Sequence, residues 1–238
     1  IPLGTDPFNR PIFDFIQRDT ATNEFKGLFA HTLWHVTEKF NVAAGVRYTD
    51  QNKDYLFFRL NVDGVNPFQV LSDPANPLNG RVGNFSGSHV DYRVNLGYQW
   101  TDDVMTYVQF ATGFKGGGIT PRPYNPQQVR GFGPEELKAY EFGFKTRFLQ
   151  KLQANGALFY NDYLGYQGMA NQCVDDNGVI LPAPFAEPCG QYLNVADAEV
   201  AGAELELELY PVDGLIIDAA YSYLDFEFGA PYIQTGSV

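Results

Sequence analysis

The chain has 238 residues, of which 16 are Lys or Arg and 28 are Asp or Glu, so its net charge at pH 7 is −12. Hydrophobic residues make up 45% and aromatic residues 16%, which excludes a disordered chain. The acidic balance argues against a nucleic-acid partner, because few cationic side chains are present to neutralise phosphates. With 2 Cys, the chain has too few cysteines for a disulfide-dense fold or a four-cysteine zinc site.

Apolar and polar residues alternate with a period of two through most of the chain, which predicts an all-β protein. In a strand this alternation puts the apolar side chains on one face and the polar or small ones on the other. No run of about 18 apolar residues is present, so no transmembrane helix is encoded. We predict about eight strands, most of nine residues or longer, at 28–36, 40–48, 90–100, 104–114, 140–148, 152–160, 201–209 and 215–223.

The connections between these strands alternate in length. Short polar turns are predicted at 37–39, 101–103, 149–151 and 211–214. Long segments rich in Gly, Pro and Asn are predicted as loops at 52–85, 115–134 and 165–193, and the first 22 residues have the same loop-like composition. Short turns on one rim and long loops on the other are typical of a transmembrane β-barrel.

The solvent that meets the apolar face decides between a membrane barrel and a soluble sheet. Predicted strands of about 9–11 residues match a tilted span of the hydrocarbon layer, whereas strands in soluble sheets are commonly about 5–6 residues. Tyr and Trp recur at the strand ends, as in the aromatic girdles of outer-membrane barrels. The opposite face carries charge, which suits a water-filled lumen. We therefore predict that lipid meets the apolar face.

Five segments resemble the strands of TonB-dependent outer-membrane receptors. Val104–Gly117 resembles the family's "Tyr-Ala-x-Tyr-Ser-x-Gly-Phe-Lys/Arg-x-Gly" strand, and Pro134–Lys145 resembles "Pro-Glu-x-x-x-x-Tyr-Glu-x-Gly-x-Lys". Leu158–Tyr163 is similar to "Phe-Tyr-x-Asp-Tyr", and Ala198–Glu206 is similar to "Gly-x-Glu-x-Glu" with Ala203 inserted. Phe40–Thr49 resembles "Leu-x-x-Gly-Val-Arg-Tyr-Thr". The motifs occur in the order that the family has them.

The resemblance implies a piece of an antiparallel up-and-down transmembrane β-barrel, with residues 1–238 forming part of one barrel domain. It implies the bacterial outer membrane as the location, outer-membrane lipid as a partner, and TonB-energised uptake of a scarce nutrient such as a ferric siderophore. The TonB complex would act only through an N-terminal plug domain, for which this sequence has no candidate. No cofactor, metal site or nucleic-acid partner is expected.

Candidate ligand contacts lie in the long loops and are guesses at the level of the loop, not of a motif. The aromatic and cationic residues chosen are Arg122, Tyr124, Arg130, Tyr166, Phe185 and Tyr192. Cys173 and Cys189 are separated by 15 residues of one loop and would form a local disulfide outside the cytosol. Unpaired thiols and a metal site remain the alternatives for this pair.

The charged residues of the predicted polar face are expected to line the lumen: Arg47, Arg93, Glu141, Lys145, Arg147, Glu204, Glu206 and Glu208. We expect Glu204, Glu206 and Glu208 to be ordinary lumen polarity, paired with the cationic residues across neighbouring strands. A cation-binding role for these carboxylates is the alternative. Nothing in the sequence supplies a buried acid for glycoside chemistry, so we expect no catalytic residues.

Three other functions remain open from the sequence. The first is a small eight-stranded structural barrel or pore without energy coupling, whose interior would be just filled by side chains. The second is a soluble β-sandwich binding module, which would turn its apolar face inward. The third is an outer-membrane enzyme that uses Glu204 or Glu206. Packing of Val42, Val46, Leu96, Phe144 and Leu207 in a dry centre would favour the sandwich.

Overall fold

The computed structural model describes residues 16–60, 65, 78–123, 126–148, 151–171 and 190–230. These residues form twelve strands and one short 3-10 helix, Pro126–Gln128. Eight strands are long: β2 (Thr20–His35), β3 (Phe40–Phe57), β5 (Arg81–Thr101), β6 (Val104–Lys115), β9 (Glu135–Phe148), β10 (Leu152–Asn171), β11 (Gly190–Leu209) and β12 (Ile217–Phe228). Four are short: β1 (Ile16–Gln17), β4 (Arg59–Leu60), β7 (Gly118–Ile119) and β8 (Gly131–Phe132).

The eight long strands form one antiparallel sheet in the order β12-β11-β10-β9-β6-β5-β3-β2. Each strand pairs with the next long strand along the chain, which is the up-and-down order predicted from the sequence. Within the described residues β2 and β12 are the two edges of the sheet and do not pair with each other. The sheet that the described residues form is therefore open at both edges. No helix in this part of the chain is long and apolar enough to cross a membrane.

The two faces of the sheet differ as the period-two pattern predicts. The register places Arg47 opposite Asp91, and Val46 opposite Tyr92, so polar and apolar side chains occupy separate faces. On the apolar face Val46 is 49% exposed and Leu96 is 37% exposed. Val42, Phe144 and Leu207 are also partly exposed, so the five residues that would define a dry centre are not buried. The described residues show no second sheet packed on this face, as a sandwich would require.

The strands are longer than predicted, and the loops are correspondingly shorter. β3 continues to Phe57, β5 begins at Arg81, and β10 continues to Asn171, all within segments predicted as loops. The loop-like first 22 residues include β1 and the start of β2 at Thr20. These extensions contain Gly and polar residues on both faces, because the chain packs against itself there, and the alternation therefore fades.

The connections divide the sheet into a short-turn end and a long-loop end. β2 and β3 are joined through Val36–Lys39, and β5 and β6 through Asp102–Asp103, at the short-turn end. The connections between β3 and β5, β6 and β9, and β10 and β11 all lie at the other end. Most buried residues also lie toward the long-loop end, including Phe57, Leu78, Ile119, Gln167 and Asn194. The packed part of the molecule is therefore where the long connections lie.

Candidate ligand path on the polar face

Between β6 and β9, the described residues 116–123 and 126–134 fold over the polar face of the sheet. We call this segment the strap; positions 124 and 125 within it lie outside the described residues. Its two legs pair as the antiparallel strands β7 and β8, and Val129 N donates to the Pro126 carbonyl at 3.1 Å. Lys115 and Glu135 face each other across the base, with 3.9 Å between Lys115 Nζ and Glu135 Oε2.

Two buried amide side chains hold the strap on the side of β10 and β11. Gln167 Nε2 donates to the carbonyls of Lys115, Gly116 and Gly133 at 3.2, 3.1 and 3.0 Å. Asn194 Nδ2 donates to the Gly133 and Pro134 carbonyls at 3.2 and 3.1 Å, while Asn194 Oδ1 accepts from Gly133 N at 2.8 Å. We call this pair the amide clamp. It satisfies backbone groups at the two ends of the strap, outside the β7–β8 pairing.

A bulge in β10 sets the direction of the clamp residue on that strand. The β10–β11 register shifts between Tyr163 and Tyr166 and again before Gln167. Gly165 sits in the bulge with a φ of 66°, a conformation that L side chains rarely adopt. Gly165 N donates to Asp197 Oδ1 at 2.8 Å, and its carbonyl accepts from Asn194 Nδ2 at 2.6 Å. A bulge of this kind changes which way its side chains point.

The far side of the strap packs against β3 and β5. Lys53 Nζ donates to the Gly117 carbonyl at 2.5 Å and lies 5.8 Å from the centre of the Phe85 ring. Burial lowers the pKa of the Lys53 ammonium below its ordinary value of 10.5. A Cβ at Gly117 would overlap the Phe132 carbonyl oxygen and the Phe85 ring, so the backbone approaches the wall more closely than any side chain permits. The strap thus reaches from β11 across to β3.

A buried ion pair closes the same end of the sheet beside the strap. Asp19 and Arg59 form this pair, and their side chains are 7% and 1% exposed. Asp19 Oδ1 also accepts from Phe58 N at 3.0 Å, and Asp19 Oδ2 accepts from the Tyr55 hydroxyl at 2.7 Å. Desolvation, followed by the hydrogen bond to Asp19, raises the pKa of the Tyr55 hydroxyl above 10.0. These contacts attach β1 and the start of β2 to the β3–β4 segment.

Four aromatic rings lie together on the polar face, beside the strap and toward β12. Tyr166 contacts Phe226 and Phe228 edge to face, with ring centres 6.3 and 5.3 Å apart. Tyr163 lies 6.2 Å from Tyr166, and both phenylalanine rings are exposed. We call Tyr163, Tyr166, Phe226 and Phe228 the aromatic patch. It is apolar surface on a face that is otherwise polar.

The predicted ligand contacts fall in different places. Arg122 is exposed in the strap, and Arg130 lies in the strap and is partly buried. Tyr192 lies on β11, where its N–H donates to Thr120 Oγ1 at 3.3 Å and its ring centre lies 6.1 Å from that of Phe132. Tyr166 belongs to the aromatic patch. Tyr124, Phe185, Cys173 and Cys189 lie outside the described residues.

The register places the eight predicted lumen charges on the polar face. Lys145, Asn155 and Glu206 form one row across β9, β10 and β11, and Arg147, Gln153 and Glu208 form the next. The expected ion pairs are wrong, because β10 separates the carboxylates from the cations by two strand spacings, or about 9.5 Å. None of the eight charges joins an ion pair within 4 Å in the described part of the chain; they are Arg47, Arg93, Glu141, Lys145, Arg147, Glu204, Glu206 and Glu208.

Sequence reasoning did not identify Gln167 and Asn194, whose side chains make the most hydrogen bonds in the site. The only sequence signal near either is the Gly165-Tyr166-Gln167-Gly168 run, where two glycines bracket an amide in a strand. Among the described residues no group of three or more His, Cys, Asp or Glu side chains is placed to hold a metal ion.

Together, the two-faced sheet and the strap turned onto its polar face define a wall segment of a large β-barrel that encloses a polar interior. The family model described as TonB dependent receptor-like, beta-barrel matches residues 2–237. The chain therefore belongs to the TonB-dependent receptor β-barrel family.

Three known proteins illustrate the similarity. The ferric-pyoverdine 358 receptor of Pseudomonas putida is 23% identical over 205 residues, covering 85% of this chain and 21% of the receptor. The structure of the ferric yersiniabactin uptake receptor from Yersinia pestis matches with a TM-score of 0.68 at 21% identity, covering 90% of this chain and 28% of that one. The alcaligin outer membrane receptor from Bordetella pertussis matches with a TM-score of 0.60 at 16% identity, covering 90% and 32%.

The chain spans about a fifth of the length of the curated relatives it matches. At these identities the structural matches show the fold alone. The family consists of receptors of the outer membrane, and the homologues found include receptors for ferric siderophores.

Proposed function

We propose that this chain is part of the barrel wall of an outer-membrane receptor that takes up a scarce nutrient, with a ferric siderophore as the ligand, driven by TonB. The single observation that carries the proposal is the division of the sheet into an exposed apolar face and a polar face over which a long loop folds. The family match over residues 2–237 supports the receptor class. In this proposal residues 1–238 belong to one barrel domain.

The apolar face suits lipid. Aromatic rings follow one another across four adjacent strands, with centres 5.8 Å apart for Tyr92 and Phe110, 4.9 Å for Phe110 and Tyr140, and 6.2 Å for Tyr140 and Tyr160. Near the short turns, the Trp100 and Tyr98 rings contact each other, and Trp100 Nε1 donates to Thr106 Oγ1 at 2.9 Å. Rings with one apolar and one polar end favour the two edges of the hydrocarbon layer.

The membrane span takes up the short-turn part of each strand. A transmembrane strand needs about 9–11 residues, and its apolar band is about 25 Å tall. Lys53 follows Phe40 by thirteen residues, about 43 Å of strand or about 33 Å along the barrel axis at a tilt of about 40°. Lys53, Tyr55 and the strap thus stand beyond the lipid, on the side from which a ligand arrives.

Ligand contacts are proposed on the polar face around the strap. Tyr166 and Tyr192 present aromatic rings there, and Arg122 and Arg130 supply positive charge for an anionic ligand. Tyr124 and Phe185 complete the proposed set, and a Cys173–Cys189 disulfide would stiffen the loop that carries Phe185. The charged polar face near the short turns lines the lumen and faces the plug domain, through which alone the TonB complex is reached.

Uptake by the full-length receptor tests the proposal. A strain lacking the gene, and the same strain carrying it on a plasmid, are supplied with iron-labelled pyoverdine, yersiniabactin and alcaligin under iron limitation. We expect gene-dependent uptake of one ferric siderophore that stops when a proton uncoupler is added. Uptake that continues with the uncoupler supports an uncoupled pore, and recovery of the protein in the soluble fraction contradicts the membrane assignment.

The proposed contacts are tested in the same assay by matched substitutions. Tyr166→Leu and Tyr192→Leu remove the rings, while Tyr166→Phe and Tyr192→Phe keep them. We expect the Leu variants to raise the apparent KM by about tenfold, the size of one lost aromatic contact, and the Phe variants to stay within about twofold. Equal uptake by all four variants would remove Tyr166 and Tyr192 from the ligand site.

A further inference from the structure

The long-loop end of the sheet carries two projecting pairs of strands. Residues 50–57 of β3 pair with residues 81–88 of β5, and we call this pair the first arm. Residues 166–171 of β10 pair with residues 190–196 of β11, and we call this pair the second arm. Both arms extend beyond the ends of β6 and β9, the two strands that lie between them in the sheet.

The backbone hydrogen bonds of the sheet do not join the two arms. β5 pairs with β6 only as far as Ala111, and β6 and β9 end their own pairing at Lys115 and Glu135. β10 pairs with β9 only as far as Leu164. A gap therefore separates the arms beyond β6 and β9, and within the described part of the chain no strand pairing crosses it.

The strap is bonded to the second arm through buried groups. Gln167 and Asn194 of the amide clamp are 7% and 3% exposed, and both donate to backbone carbonyls at the two ends of the strap. Tyr192 N donates to Thr120 Oγ1 at 3.3 Å, and Thr120 is 3% exposed. Loss of a clamp amide leaves buried carbonyls without a donor, which costs more than the loss of an exposed hydrogen bond.

The same strap packs closely against the first arm. Lys53 Nζ donates to the Gly117 carbonyl at 2.5 Å. Ile119 is 9% exposed, and a Cβ at Gly83 would lie 2.7 Å from Ile119 Cγ2, so the strap sits directly on the backbone of β5. Because its two legs pair with each other as β7 and β8, the contacts on either side belong to one connected piece of structure.

We propose that the strap is a brace that holds the two arms at a fixed separation, and that Gln167 and Asn194 are the positioning residues on which the brace depends. Tyr192 lies on the second arm, whereas Arg122 and Arg130 lie in the strap, so the brace would arrange these proposed ligand contacts before a ligand arrives. A preformed site binds more tightly than one whose parts must first be brought together. This consequence for binding rests on the proposed function, whereas the brace itself rests on the contacts of the strap with the two arms.

The separation of the arms is measured by double electron–electron resonance in the full-length receptor. Asn84→Cys and Asn171→Cys introduce one nitroxide label on each arm, at positions that are exposed. Cys173, Cys189 and any other native cysteine are replaced by serine. Heat-modifiable gel migration confirms that each variant is folded. With the clamp intact, we expect one narrow distribution of distances between the labels.

Loss of the clamp should widen this distribution. Gln167→Leu and Asn194→Leu are compared with Gln153→Leu and Asn155→Leu, which place the same substitutions on the polar face of β10 away from the strap. We expect broader distributions in the two clamp variants and no change in the two controls. Equal widths in all four variants would remove the clamp from the brace.

Removal of the strap tests the brace without altering the clamp. Two glycines in place of residues 117–132 join β6 to β9 where Lys115 and Glu135 already pair. We expect this variant to give the broadest distribution, because both arms then lose their common support. An unchanged distribution would overturn the brace.

A brace is also cut by a break at its other end. Gly83→Ala drives a methyl group into Ile119 and loosens the strap from the first arm, whereas Gly113→Ala meets open space and serves as the control. We expect Gly83→Ala to widen the distribution about as much as Asn194→Leu, and the double variant to widen it no further. Two independent local losses would add instead, and additive widening would contradict a single brace.

The consequence for binding is measured by energised uptake of the iron-labelled siderophores. If loosening leaves the strap in its binding arrangement for about a tenth of the time, the apparent KM rises about tenfold in Asn194→Leu and Gln167→Leu. The maximal rate should stay within about twofold. If the wild-type receptor takes up none of the siderophores, the proposed function fails, while the resonance experiment still decides the brace. If the clamp variants loosen the arms and leave the KM unchanged, the brace stands and its role in ligand binding is wrong.

Discussion

At the long-loop end of the sheet, polar side chains of the interior face are buried and bonded to backbone, whereas near the short turns the same face is open. Gln167, Asn194 and Arg59 are almost fully withdrawn from water. Lys145 and Glu206 are exposed and join no ion pair among the described residues. One alternating pattern therefore has two outcomes. Where the chain folds over them, the polar residues are buried and hold the structure together. Where it does not, they stay exposed to solvent or to another domain.

The largest effect of a substitution is expected at the long-loop end, where the Asp19–Arg59 pair is buried. Asp19→Ala leaves a buried guanidinium without its carboxylate and removes the acceptor for Tyr55 and Phe58. We expect a loss of about 3–5 kcal/mol in local stability, the range for breaking a buried ion pair. Hydrogen exchange at Ile16–Gln17 and Arg59–Leu60 in the full-length receptor measures it. Unchanged protection would mean that the pair is not what attaches β1.

The next largest effect is expected from substitutions at two neighbouring glycines of the strap, Gly116 and Gly117. Gly117→Ala drives a methyl group into the Phe132 carbonyl and the Phe85 ring, and overpacking of this kind costs about 1–3 kcal/mol. Gly116→Ala meets only the end of the Gln51 side chain, which has more freedom to move, and Gly113→Ala meets open space. Exchange rates at 118–119 should rise most in Gly117→Ala, less in Gly116→Ala and not in Gly113→Ala. The reverse order would contradict the close approach of the strap.

Alkaline pH should loosen the same end of the sheet by a smaller amount. The folded pKa of Tyr55 is raised above 10.0 by desolvation and by its hydrogen bond to Asp19. The stabilisation is therefore complete below pH 10 and is lost as the pH rises through the folded pKa. We expect protection at Ile16–Gln17 to fall in this range in the wild-type receptor. The Tyr55→Phe variant should lack the step, and a step of equal size in both would exclude Tyr55.

The smallest effect is expected near the short turns. Glu206→Gln and Lys145→Gln change charges that are exposed and unpaired within the described residues, so each should alter the thermal midpoint by an amount equivalent to about 0.5 kcal/mol or less. Their effect should appear instead in the salt dependence of plug association, if the short-turn half faces that domain. A large loss of stability in either variant would show that this half is also built into the fold.

Sequence reasoning succeeded where every second side chain of a strand faces an apolar environment. Val46 and Leu96 lie on the apolar face as predicted, and the eight-strand order follows from the alternation of short turns and long connections. It failed where the chain packs on itself. The extensions of β3 and β10 contain Lys53 and Gln167, which lie in segments predicted as loops from their Gly, Pro and Asn content, although both side chains bond to the strap or its base.

Local alternation and turn chemistry were sufficient to predict the eight long strands near the short turns and their two faces, because both depend on neighbours along the chain. The family was indicated by the resemblance of the strand motifs. The position of the strap, the amide clamp and the Asp19–Arg59 pair were decided only by the tertiary structure. Gln167 and Lys115 are separated by 51 residues, and Asp19 and Arg59 by 39. No pattern in the sequence states that two such distant polar groups will meet; only the folded sheet brings them within hydrogen-bonding distance.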